Sequence, residues 1–207
     1  MKPLLTILLA LFCLNGIAQN FTLSDSGLKK AEKKAAAEAV MYGKKGFVCK
    51  DGGDLKQSLL DFYREANLVD EKKIPKYIWG MGISKASTED DAYKGAYKDA
   101  IDNVPGVMIT YFQMWTMASK ATEEEKEKVQ KAIENAKKAI QKACESQKYD
   151  VKVYLVSEKS NAVQVHVRTL ADQNNMKEVA RKEIMKELQK LTNWDEPKMR
   201  ALLTFEK

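Results

Sequence analysis

The sequence predicts an α+β fold, a small antiparallel sheet of about three strands packed against several long helices, with an N-terminal helical extension. Three observations carry this. In the stretch 75–84, Tyr77, Trp79, Met81 and Ile83 alternate with Ile78, Gly80, Gly82 and Ser84, the period of two that marks a strand with one heavily apolar face. Val151 to Val156 and Val163 to Arg168 are rich in β-branched residues and flank Glu158-Lys159-Ser160-Asn161, so they read as an antiparallel hairpin. Elsewhere apolar residues recur at spacings of three and four, the period of helices.

Taken in order, the first helix runs from about Gly27 to Tyr42, capped by Asp25 or Ser26, with Leu28, Ala31, Ala35, Ala39 and Tyr42 on one side. Its alanines bury little surface, so it either packs closely or stays loosely attached. Gly43 and Gly46 end it, and Phe47-Val48-Cys49 suggests a further short strand. Asp54 with Gln57 three residues later starts a second helix bearing Leu55, Leu59, Phe62 and Ala66 on one face. Pro75 then opens the central strand, where glycines at 80 and 82 imply that another backbone or a helix packs against them.

The next helix begins at Ser87 or Thr88, with Glu89, Asp90 and Asp91 favoured by the positive end of its dipole. Ala92, Ala96 and Ala100 form a row of small residues suited to lying flat on a sheet. Pro105-Gly106 should kink or break it. Val107 to Met117 is the most apolar run after the N-terminal segment; it reads as buried core, or alternatively as a partner-binding surface built on Met108, Phe112 and Trp115. Thr122 and Glu125 form a capping box for a long amphipathic helix to about Ser146. After the hairpin, in which Gln164, His166 and Arg168 share a polar face, Asn175 with Glu178 starts a last long helix, followed by a short tail with Met199, Leu202 and Leu203.

The N-terminal residues have a separate logic. Lys2, an apolar run from Leu4 to Leu14, and Gly16-Ile17-Ala18 match a secretory signal peptide cleaved after Ala18, and the run is too short to span a bilayer. Residues 1–18 are therefore read as signal, 19–53 as the helical extension and 54–207 as the α+β domain. Phe12 before Cys13 fits a lipidation site poorly, so the mature chain is expected to be soluble in the periplasm or outside the cell. Export removes Cys13 and leaves Cys49 and Cys144, which in an oxidising compartment either pair or remain two separate buried thiols.

Composition narrows the function classes. With 35 basic and 29 acidic residues the net charge is +6, a modest and dispersed excess that does not suggest a nucleic-acid footprint. Lys29, Lys30, Lys33 and Lys34 form the densest basic spot, read as a wet helix face or a weak contact with an anionic surface. No catalytic residues, cofactor site or metal site is expected: there is no Cys-x-x-Cys, no nucleophile motif, no phosphate-binding glycine loop, and His166 has no evident partner.

Leu59 to Tyr63, Asp70 to Ile78, the Gly80-x-Gly82 step, the Ala92/Ala96/Ala100 helix, and Val163 to Arg168 running into the helix of Lys177 to Leu188 together resemble the LPP20-like family of bacterial envelope proteins, especially secreted members found in Bacteroidetes. That resemblance implies a small α+β domain and brings no active site with it. The expected function is a non-catalytic envelope protein that binds a protein partner or supports an assembly. The alternatives are a binder of anionic envelope polymer through its lysine-rich helix faces, or an enzyme without a recognisable motif.

Overall fold

A computed structural model describes residues 21–158 and 162–204. The expected signal peptide and Cys13 lie outside the described residues. Among the described residues, seven helices and four strands follow in the order α1 (Asp25–Lys44), β1 (Val48–Cys49), α2 (Leu55–Ala66), β2 (Tyr77–Ala86), α3 (Glu89–Asp102), α4 (Val104–Ala118), α5 (Glu123–Glu145), β3 (Asp150–Ser157), β4 (Val163–Asp172), α6 (Gln173–Leu191) and α7 (Glu196–Leu203). The fold is α+β. The strands form one antiparallel sheet in the order β1-β3-β4-β2, so the short strand around Cys49 raises the expected three to four.

Local chemistry sets the helix boundaries. Ser24, Asp54, Thr88, Thr122 and Asp195 each accept a backbone N–H in the first turn of the helix they precede, and Thr122 and Glu125 form the full capping box. The break between α3 and α4 falls at Asn103, with Pro105 in the first turn of α4, where its missing N–H costs nothing. Helix α6 starts three residues earlier than the sequence suggested, because Asp172 rather than Asn175 is its cap: the Asn175 amide donates to Asp172 Oδ1 at 2.9 Å.

The alternation along β2 and β4 divides the sheet into two faces. One carries Ile78, Gly80 and Gly82 opposite Ala171, Thr169 and Val167, and α3 lies across it with Ala92, Ala96 and Ala100 buried against Val156, Val165 and Val167. A Cβ added at Gly80 would overlap the carbonyl oxygen of Ala100, and one at Gly82 that of Ala96, so the glycines let helix and strand backbones touch. Beyond the C-terminal end of α3, the helices α4 to α7 build the largest core around Met108, Phe112, Ile133, Ile140, Ile184 and Leu188, reaching the sheet at Ile78 and Ala171.

The opposite face is covered by α1 and α2. Ala31, Ala35 and Tyr42 of the segment read as an extension share one core with Leu59, Phe62, Tyr63, Val153, Leu155 and Leu170, so α1 packs closely rather than loosely. Cys49 lies in this layer and Cys144 in the helical core on the other side; both are free thiols, and the disulfide considered from the sequence does not form.

Candidate functional site at the open edge of the sheet

Strand β2 is ten residues long and ends the sheet, and among the described residues no strand pairs with its outer edge. The bridges from Thr22 to Val69 and from Val69 to Pro75 stop just before it begins. Its heavier face is the one left open. Trp79, Met81 and Ile83 are 43%, 40% and 41% exposed, whereas Ile78 is buried on the glycine face. Three large apolar side chains in a row on an edge strand make an unusual surface, since an edge of that kind is a template for pairing with another chain.

The row stays open because α1 covers its neighbour instead. Trp79, Met81 and Ile83 stand opposite Leu170, Arg168 and His166 of β4. Helix α1 advances along β4 one turn for each of these steps: Lys34 Nζ sits 5.5 Å from the Trp79 ring centre, Glu38 meets Arg168, and Tyr42 meets His166. The helix thus forms one wall beside the row, Phe62 closes the Trp79 end at 5.8 Å between ring centres, and the strand edge forms the other margin.

Behind the row lies a buried polar network. Arg168 is 2% exposed and donates through Nη2 to Glu38 Oε2 at 2.5 Å and to Tyr42 Oη at 3.3 Å, and through Nη1 to Tyr63 Oη at 2.5 Å. Tyr63 in turn donates to Glu38 Oε1 at 2.8 Å. A guanidinium only donates, so Tyr42 accepts from it, and its Oη also hydrogen-bonds with His166 Nδ1, 3.2 Å away. The rings of Phe62 and Tyr63, 5.2 and 5.1 Å from the guanidinium carbon, complete the enclosure.

These contacts explain the titration behaviour. Burial, with Arg168 and Lys45 nearby, holds His166 down at about 4, opposed only by Glu38. Burial also raises Tyr63 to about 12, with Arg168 lowering and Glu38 raising it. Chemically, the network fixes α1 to β4 with its donors and acceptors matched to one another. His166 and Arg168, expected on a polar strand face, do lie on one face, but that face is buried.

The residues singled out in α4 are divided by the structure. Met108 and Phe112 are buried at 1% and 0% and belong to the core, as the first of the two readings had it, so the alternative partner surface cannot be built on them; Trp115 is half-buried. The helix is apolar all round because its outer side is apolar too: Val107, Met114 and Met117 are exposed, and Met114 and Met117 line a shallow depression of about 590 Å³ with Gln113, Ala118 and Gln130. Lys29, Lys30, Lys33 and Lys34 are exposed along α1, as a wet helix face requires.

Sequence reasoning missed Glu38, Tyr42 and Tyr63 as partners of Arg168; an arginine flanked by inward valines in a strand was the available signal. Among the described residues, no group of three or more His, Cys, Asp or Glu side chains is placed to hold a metal ion, and no helix is long and apolar enough to cross a membrane. No family model, curated protein or solved structure matches this chain.

Proposed function

We propose that this chain is an exported, non-catalytic protein of the bacterial cell envelope, of the LPP20-like kind, and that it binds another protein through the open edge of β2. The observation that carries this reading is the row Trp79, Met81 and Ile83, half exposed on a ten-residue strand with no described neighbour on its outer side. Burying such a row yields roughly 25 cal/mol for each Å² of apolar surface removed from water, and the strand edge adds backbone hydrogen bonds. The contact therefore moves from Met108 and Phe112, which are inaccessible, to the sheet.

The test places a photo-reactive phenylalanine analogue at position 81 and, as a control, at the exposed Lys137 on α5. Illumination of intact envelope should yield a discrete cross-linked protein from position 81 and none from position 137. Equal cross-linking from both, or none from position 81, would refute the reading.

A further inference from the structure

The charges around β2 indicate what kind of chain completes it. Beside β2, Lys34, Lys76 and Lys85 form no ion pair among the described residues. Lys34 is held over the rings of Tyr63 and Trp79 at 4.7 and 5.5 Å, and Lys76 over Tyr77 at 4.9 Å. Lys85 is exposed near the end of the strand, on the same side as Ile83. The nearest acid on α1, Glu38, is committed to Arg168.

The strand thus presents an apolar centre at 79, 81 and 83 with lysines that form no described ion pair toward both ends. We propose that its occupant is an extended segment of a partner protein, added to the sheet as a further strand, with apolar side chains at alternate positions and carboxylates toward its ends. This rests on the protein-binding reading above and specifies the ligand. Alternation follows from the pleat, which turns every second side chain of an added strand toward the row. The carboxylates follow from the lysines. A second copy of the chain fits less well: antiparallel pairing of β2 with itself brings Lys85 of one copy to the Tyr77 and Lys76 end of the other, setting like charges together.

The experiment uses the mature chain and two synthetic probes, decapeptides of alternating valine and threonine ended by two glutamates on each side or by two lysines on each side. Deuterium exchange should slow in residues 77–85 with the glutamate peptide. Binding should be at least about tenfold tighter than for the lysine peptide, a preference that weakens with salt and reverses in a Lys34→Glu/Lys85→Glu variant. Equal binding of both peptides, unchanged exchange in β2, or protection of β2 by self-association without peptide would each overturn the inference. A discrete partner cross-linked from position 81, combined with any of those results, would leave the protein-binding reading standing; absence of that cross-link would remove the reading itself.

Discussion

On one face of β2 a helix comes so close that only glycine fits beneath it, while on the other α1 stands over β4 on a buried arginine and leaves three large apolar residues of β2 half bare. The difference lies in what each face asks of its covering helix. Over β2, helix α3 packs backbone to backbone, because Ala96 and Ala100 meet Gly82 and Gly80. Helix α1 is alanine-rich as well, but where it crosses β4 it meets Arg168, and the contact is then specified by charge and hydrogen bonds. Close backbone packing makes a face intolerant of added atoms, whereas a polar clamp makes it sensitive to loss of a partner.

The strongest way to break this contrast is Gly82→Val, whose side chain would drive into the Ala96 carbonyl; it should cost upwards of about 4 kcal/mol in urea unfolding, and retention of near-native stability would contradict the close approach. Gly106→Ala is the companion, because nothing lies within 4 Å of the new methyl, and it should be neutral or slightly stabilising. On the clamp side, Glu38→Ala strands a buried guanidinium and should cost about 3 kcal/mol. Arg168→Met leaves only the more exposed Glu38 side chain behind, so its cost should be clearly smaller. Reversal of that order would show that the arginine's packing, not its charge, holds α1.

A pH titration sharpens the same point. Folded His166 is held at about 4, below the ordinary 6.5, so the unfolded chain takes up its proton first as pH falls. The stabilisation is complete above about 6.5 and is lost progressively toward 4, by roughly 1–3 kcal/mol. The His166→Phe variant should lose this part of the pH dependence, which unfolding at pH 7 and pH 4.5 would reveal. The smallest effect on stability is expected at the bare row: Met81→Glu should change unfolding by less than about 0.5 kcal/mol while removing the position-81 contact, as measured by cross-linking from position 83.

The glycine face was legible in the sequence because its signal is local: Gly80 and Gly82 announce a close neighbour, and the Ala92, Ala96 and Ala100 row that follows is that neighbour. The other face was less so. Alternation reveals that Trp79, Met81 and Ile83 differ from their neighbours, and that His166 and Arg168 share a side, but not how far a helix from elsewhere in the chain extends over them. Glu38 and Arg168 carry no pattern linking them before the chain has folded. Similarly, the apolar run in α4 showed that the helix has little polar surface, and only the positions of α5 and α6 decide that Met108 and Phe112 turn inward while Met114 and Met117 turn outward.

The strand order has a consequence for how the molecule forms. Strand β2 finishes at Ala86, yet its hydrogen-bonding neighbour β4 begins only at Val163, with three helices and β3 between them. During synthesis β2 therefore emerges with both edges bare, and the sheet cannot close until most of the chain is available. Pairing across such a separation is slow relative to the local formation of α5. Pulsed hydrogen exchange during refolding should then show protection of α5 preceding that of the β2 amides, and chains truncated before β4 should aggregate through β2 rather than wait as compact intermediates.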